Sequence, residues 1–464
     1  MTDIIYSSAT SIAQSIRDKQ ESAVEVVQAH LDRIAEVNPK LNAVVQLCAD
    51  RALQEAADAD AALARGDATG PLHGVPMTLK DSLDTEGVVT TGGTTGRRDF
   101  VPDQDATVTA RLRAAGAILM GKTNTPELTM AGETDNSVYG RTNNPFDLER
   151  SPGGSSGGAG AIVTTGGSPF DIGSDTGGSI RMPAHLCGIA GIKPNSGRVP
   201  RTGHIIDYTL GATDSYTQNG PMARYVEDLD LILRVISGPD WIDPAIIDMP
   251  LGDPADVDLN SLRVAFYTDP PGFKVPEQVT RNTVQAAVRA ISDVAASVED
   301  DAPAPIERVP DITARVGGGD GRAGTRRILD KHGTTGELSA FLKGRFDDAE
   351  LITTGEFTKA LEELDQYRSD MIRFMSNYDV IIAPVTAAPA RPHGASFEDR
   401  NRHAFYTGPY NLTGWPGTVV RCGTSSDGLP IGVQVIARPW REDVSLAVAA
   451  FLESALGGWQ KPPM

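Results

Sequence analysis

The stretch that leaves this chain least freedom of fold runs from residue 151 to residue 200. Thirteen of its fifty residues are glycine, and serine and threonine are frequent among the rest. A solvated linker of that composition would be polar throughout. This one is interrupted by apolar pieces at 161–163 and at Ile189-Ala190, so ordered loops and short strands are expected. Glycine at this density points to backbone brought close to another group or held at unusual dihedrals.

The flanking segments alternate in character. Ser22 can cap a helix whose apolar positions Val27, Leu31 and Ile34 share one face. Asn38-Pro39 is expected to end it, and 42–47 to form a short strand. Residues 49–65, Ala-rich with interleaved charge, read as a surface helix. Residues 75–79 read as a buried strand that delivers Lys80 at its end. A helix ends over 111–115, and 117–120 follows as a short buried strand. Further on, 229–236, 283–297 and 444–456 read as helices, and 262–267, 380–383 and 432–437 as strands. Residues 316–324 hold five glycines and are expected to be a mobile loop. Strand and helix in alternation imply an α/β architecture. Neither an internal repeat nor an inter-domain linker is visible. One domain over 1–464 is expected, with 1–70 packing as N-terminal helices on the core and 240–345 shaping a substrate pocket.

Composition narrows the function. The 464 residues include 42 Lys and Arg against 61 Asp and Glu, a formal net charge of −19. Such a balance argues against nucleic acid and against an anionic membrane surface as partners. Cys48, Cys187 and Cys422 are odd in number and widely spaced, which supports neither a disulfide framework nor a zinc ribbon. No metal or organic cofactor is implied. A cytoplasmic location fits the cysteine usage and the absence of a signal-peptide pattern at the first residues.

Three segments resemble catalytic loops. Gly116 to Thr123 matches GxxxxGKT, but Ile118, Leu119 and Met120 between its glycines call for burial, whereas a phosphate loop needs small exposed residues there. A buried strand is the expectation. Gly153 to Gly157 matches GxSxG around Ser155, yet the preceding residues are polar and proline-bearing, so the strand that a nucleophile elbow requires is missing. The third is Gly173-Ser-Asp175-Thr-Gly-Gly-Ser179-Ile-Arg181. Successive N–H groups at Thr176, Gly177, Gly178 and Ser179 could converge on one oxygen as an oxyanion hole. An ordinary glycine-rich turn is the alternative.

Taken in order, these pieces are similar to the amidase signature family, which includes fatty acid amide hydrolase. The resemblance rests on Gly74-Val-Pro-Met-Thr-Leu-Lys80-Asp81, on Ser151-Pro-Gly-Gly-Ser155-Ser156-Gly-Gly158, and on the Gly173–Pro183 run. It continues through Cys187-Gly-Ile-Ala-Gly-Ile-Lys193-Pro194, Gly220-Pro-Met222, Asn411-Leu-Thr-Gly414 and Asp427-Gly-Leu-Pro-Ile-Gly432. It covers nearly the whole chain. It implies a central mixed β-sheet covered on both faces by helices. It further implies Ser179 as nucleophile, Ser155 as a bridging serine on a cis peptide bond after Gly154, and Lys80 as base. Ser156, Asp175 and Arg181 would support the loop rather than react.

The chemistry suits these residue types. A serine hydroxyl is a poor nucleophile until a base takes its proton. Free lysine is charged and cannot accept one. Burial disfavours the ammonium and can lower its pKa by several units. Neutral Lys80 could then draw a proton through Ser155 from Ser179, and the reverse path could protonate the leaving amine.

The resemblance reaches two functional classes. One is a hydrolase of small amides, carbamates (urethanes) or esters, through an acyl- or carbamoyl-enzyme. The other is the glutamine-hydrolysing A subunit of the tRNA-dependent amidotransferase. That protein carries an aspartate in a segment matched here by 402–407, where Ala404 stands, and usually a glutamine where Met182 stands. Both departures favour the hydrolase. Tyr208, Phe405, Tyr406, Tyr410 and Trp415 are the expected pocket aromatics, suited to an apolar or aryl substrate. Similar proteins are often dimers, so a homodimer is compatible with the resemblance.

Overall fold

The computed structural model describes residues 4–67, 69–208, 211–334, 338–395 and 406–464. Eleven strands among them form a single mixed sheet. They are β1 Val44–Leu47, β2 Pro76–Lys80, β3 Ile118–Thr123, β4 Phe170–Asp175, β5 Ala190–Lys193, β6 Gln218–Ala223, β7 Arg263–Phe266, β8 Ser297–Asp300, β9 Val380–Pro384, β10 Gly417–Thr424 and β11 Pro430–Ala437. Across the sheet the order is β1-β3-β2-β4-β6-β5-β10-β11-β9-β7-β8. β2 is parallel to both β3 and β4, and β7 to both β8 and β9. The run from β4 to β9 is antiparallel throughout. Every residue of β2, β3, β4, β6, β9 and β11 is buried. Strands buried at every position have a packed layer on each face, here of helices. The architecture is α/β, as expected.

The N-terminal helices dock through the stripe that their spacing defines. Val27, Leu31 and Ile34 are all buried in the principal core, with Ile12 and Ile16 of the helix before them. Ser22 and Glu25 form a reciprocal capping box. The helix does not stop at Pro39 but continues to Leu41. Proline removes one backbone donor in the last turn, and Asn38 holds the exit in place. Its Oδ1 accepts the N–H groups of Ala43 and Val44 at 2.8 Å, and its Nδ2 donates to the Val44 carbonyl at 2.8 Å.

Two glycine-rich segments depart from expectation. Residues 151–200 contain helices Gly157–Thr164 and Arg181–Cys187 besides strands β4 and β5. The glycines of the first helix serve packing. A Cβ on Gly158 would stand 2.4 Å from the Asn124 nitrogen, and one on Gly157 2.4 Å from Thr134 Oγ1. Residues 316–324 are not one loop: helix Val309–Gly318 runs through Gly317, and helix Ala323–Lys331 follows a short turn. Val309, Ile312 and Val316 bury one face in a second core. That burial outweighs the low helix propensity of glycine, about 1 kcal/mol per residue.

The second core is rich in tyrosine, with Tyr216, Tyr267, Tyr367, Tyr406 and Tyr410. A third, smaller cluster joins Leu128, Ile205 and Ile206 to Leu329 and Leu342. No helix of the described residues is long and apolar enough to cross a membrane.

Candidate active site

β2 and β4 are parallel neighbours, with Thr78 opposite Asp171 and Leu79 opposite Ile172, so their C-terminal ends open on the same sheet edge. That edge is where α/β sheets place their sites. β2 ends at Lys80. β4 ends at Ser174-Asp175 and passes directly into the loop that carries Ser179. Ser155 and Ser156 approach from the other side, at the start of helix Gly157–Thr164. The Ser156 N–H donates to the Ser179 carbonyl at 3.2 Å and ties the two serine segments together. The Gly154–Ser155 peptide bond is cis.

Lys80 is completely buried, and its Nζ meets three hydroxyls. It donates to Ser155 Oγ at 2.6 Å, to Ser174 Oγ at 2.9 Å and to Ser156 Oγ at 3.0 Å. Burial pulls the Lys80 pKa down to about 7, while the carboxylates of Asp171 and Asp175 oppose the fall. A lysine poised near neutrality carries enough free amine to act as a base. Asp171 is itself displaced: burial pushes it up to about 7, against hydrogen bonds from Thr78 at 2.7 Å and Thr123 at 3.0 Å.

Asp175 organises the loop. Its Oδ1 accepts from the Gly178 N–H at 2.8 Å, Asn411 Nδ2 at 2.9 Å and Arg181 Nη2 at 3.0 Å. Its Oδ2 accepts from Arg181 Nε at 3.0 Å and the Ile180 N–H at 3.2 Å. Burial alone would raise this carboxyl, but Arg181 and Asn411 prevail and hold it well below the usual range. Arg181, also fully buried, reaches on to Asn411 Oδ1 at 2.6 Å, the Thr407 carbonyl at 3.1 Å and Gln434 Oε1 at 3.2 Å.

Two expectations need correction. The sequence offers Gly178 as one of the oxyanion donors, but its N–H already donates to Asp175. The remaining N–H groups are those of Thr176, Gly177 and Ser179. Thr176 and Gly177 are exposed and Ser179 half-buried, so this part of the loop meets whatever enters. The pocket aromatics also divide differently. Tyr406, Tyr410 and Trp415 are buried in the second core instead of lining an open wall. The two tyrosine hydroxyls are satisfied internally: Tyr410 pairs with the Tyr267 hydroxyl at 2.9 Å, and Tyr406 donates to the Lys274 carbonyl. Tyr208 is half-buried. Phe405 and Ala404 lie outside the described residues.

Neither look-alike motif forms the loop it imitates. The GxxxxGKT match falls on buried strand β3. There Lys122 Nζ donates to the Leu83 carbonyl, to Thr85 Oγ1 at 2.8 Å and to Thr90 Oγ1 at 3.2 Å. No strand directly precedes Ser155. Sequence reasoning missed Ser174, which touches Lys80 although it sits inside the Gly173–Pro183 run, and His204, whose Nε2 lies 3.0 Å from Ser174 Oγ. No motif marks His204. Among the described residues no cluster of His, Cys, Asp or Glu is placed to hold a metal ion.

Known proteins resemble the chain over its whole length. It is 34% identical to the acylamidase of Rhodococcus erythropolis, covering 98% of this chain and 97% of that one. It is equally 34% identical to the A subunit of the glutamyl-tRNA(Gln) amidotransferase from a Synechococcus species, covering 96% and 91%. In three dimensions it matches 6-aminohexanoate cyclic dimer hydrolase with a TM-score of 0.87 and 30% identity over 99% of each chain. A family model described as Amidase matches residues 25–446, and with these relatives it establishes the chain as an amidohydrolase of the amidase signature family.

Proposed function

We propose that the protein is a free-standing hydrolase of small carboxylic amides, with aryl-acylamides, carbamates and esters in the same substrate class. Ser179 is its nucleophile, Ser155 the relay and Lys80 the base. The observation that carries this reading is the burial of Lys80 against three serine hydroxyls, with its pKa drawn down to about 7.

Neutral Lys80 takes the Ser155 hydroxyl proton while Ser155 takes that of Ser179. Ser179 Oγ then bonds to the carbonyl carbon. The tetrahedral oxyanion is held by N–H groups from Thr176, Gly177 and Ser179. On collapse the C–N bond breaks, and Lys80 returns the proton through Ser155 to the departing amine. Water then repeats the sequence on the acyl-enzyme and releases the acid. A carbamate would leave a carbamoyl-enzyme through the same relay, its C–O bond breaking and the proton passing to the departing alcohol.

The amidotransferase reading draws support from the identity to its A subunits. Against it stand Ala404 and Met182 and the net charge of −19, which disfavours a tRNA-bearing partner. A cytoplasmic enzyme fits the three unpaired cysteines. The deciding assay offers the purified protein p-nitroanilides, a p-nitrophenyl carbamate and L-glutamine, beside Ser179→Ala and Lys80→Ala. Chromophore release that disappears in Ser179→Ala supports the hydrolase and ranks its acyl groups. Ammonia from glutamine alone supports the amidotransferase. Turnover that survives Ser179→Ala refutes the assigned nucleophile.

A further inference from the structure

Ser174 Oγ stands between two groups. Lys80 Nζ donates to it at 2.9 Å, and His204 Nε2 lies 3.0 Å away. Ser174 and His204 are both buried. The other ring nitrogen of His204, Nδ1, has two mutually exclusive contacts: it can donate to the Ile206 carbonyl at 2.8 Å or accept the Ile206 N–H at 3.1 Å, and the shorter one selects the Nδ1–H tautomer. The histidine is clamped to the chain that leaves β2. The Asp84 N–H donates to the Gly203 carbonyl and the Ile205 N–H to the Ser82 carbonyl, both at 2.8 Å, around a bridge between Leu83 and His204.

Counting protons assigns this histidine a task. As an ammonium, Lys80 has three donors for its three hydroxyls. As a neutral amine it has two donors and one lone pair. To work as a base, that lone pair must face Ser155. Ser156 and Ser174 must then both accept from Nζ, and each hydroxyl hydrogen needs another acceptor. For Ser156 the Ser174 carbonyl lies at 3.4 Å. For Ser174 the acceptor at hand is His204 Nε2.

We propose that His204 is a positioning residue. With Nδ1–H donating to the Ile206 carbonyl, its Nε2 accepts the Ser174 hydroxyl proton and so keeps Ser174 from occupying the Lys80 lone pair. The proposal rests on Lys80 being the base. Charged groups around the pair are few: Asp171 and Asp175 face Lys80, and Arg201 and Asp207 face His204. Burial, and then the neighbouring Lys80, pull His204 down to about 3. It therefore stays neutral near pH 7 and acts as a fixed acceptor, not as a titrating group.

The test measures kcat and KM against pH for the full chain and its His204→Leu, His204→Gln, Ser174→Ala and Ser174→Ala/His204→Leu variants. The substrate is whichever anilide or carbamate the unmodified protein turns over. In His204→Leu the freed Ser174 hydroxyl donates to the neutral amine. That ties up its lone pair and favours the neutral form. The expected result is a fall in kcat of about tenfold with KM nearly unchanged. The acid limb of kcat/KM should also move about half a pH unit lower. His204→Gln, which offers an amide oxygen near the place of Nε2, recovers most of the rate and the limb. On the Ser174→Ala background, His204→Leu adds nothing further. A merely structural histidine would lower the rate and leave the limb where it was, and that outcome overturns the proposal. So does a further loss on the Ser174→Ala background. Should His204→Leu fail to fold, His204→Asn, whose amide is too short to reach Ser174, carries the same expectations. Wild-type activity in Lys80→Ala would overturn the base assignment itself, whereas an inactive Lys80→Ala with an unmoved His204→Leu profile overturns only the role of His204.

Discussion

Lys80 Nζ lies 2.6 Å from Ser155 Oγ, with the lysine wholly buried and the serine 1% exposed. A proton can cross that distance without a water molecule between the partners. Ser179, on the loop after β4, is half-buried and more open than Ser155 or Ser174. The site thus has a dry interior end at Lys80 and a more open end at Ser179, the proposed base and nucleophile.

Removing the outer serine should abolish turnover. Ser179→Ala is expected to lower kcat by about 10³-fold or more while the protein melts as before. Ser155→Ala should lose a smaller factor, about 10²-fold, because it breaks the relay and leaves the nucleophile in place. Steady-state kinetics beside a thermal melt read both. Equal losses in the two variants would mean that Ser155 does more than relay.

The rate should follow the free-amine fraction of Lys80. With its pKa at about 7, kcat/KM is expected to rise about tenfold per pH unit below 7 and to level off above it. A profile flat from pH 5 to 8 would remove Lys80 from the base role.

Asp171 links stability to the same pH range. Its carboxyl is raised from 3.8 to about 7, chiefly by burial. A raised folded pKa means a contribution to stability that is full below 3.8 and is lost as pH rises through 7. Asp171→Asn should therefore gain Tm relative to wild type at pH 8 but not at pH 4. Asp171 also props up the Lys80 pKa, so the same variant should move the acid limb of kcat/KM lower. Melting curves at the two pH values and one pH–rate profile test both effects.

Arg181→Met should damage fold and rate together. Arg181 and Asp175 form a fully buried pair at 3.0 Å. Truncating one partner strands a buried carboxylate, at a cost of about 3–5 kcal/mol. The same change frees the carboxylate that holds the Gly178 and Ile180 N–H groups. Urea unfolding should show the stability loss, and the fraction still folded should turn over more slowly than wild type.

Much of this molecule was legible from sequence because it is local. The capping box at Ser22, the buried stripe of Val27, Leu31 and Ile34, and the apolar run ending at Lys80 are patterns within a few residues. The ordered motifs, through the family they resemble, also named Lys80, Ser155, Ser156, Asp175, Ser179 and Arg181. Tertiary structure decided the rest. Ser174 meets Lys80, and His204 meets Ser174, only because β2 lies beside β4 and the 203–205 segment pairs with the chain just after β2. The separation is 94 residues between Lys80 and Ser174 and 30 between Ser174 and His204, far beyond any local pattern. Likewise, aromatic spacing does not tell a pocket wall from a core. Tyr406 and Tyr410 became core because Tyr267 and Lys274, some 140 residues earlier, supply their hydroxyls with partners, and a satisfied hydroxyl can be buried with its ring. Local composition sets which residues can do the chemistry, whereas the pairing of distant strands sets which of them touch.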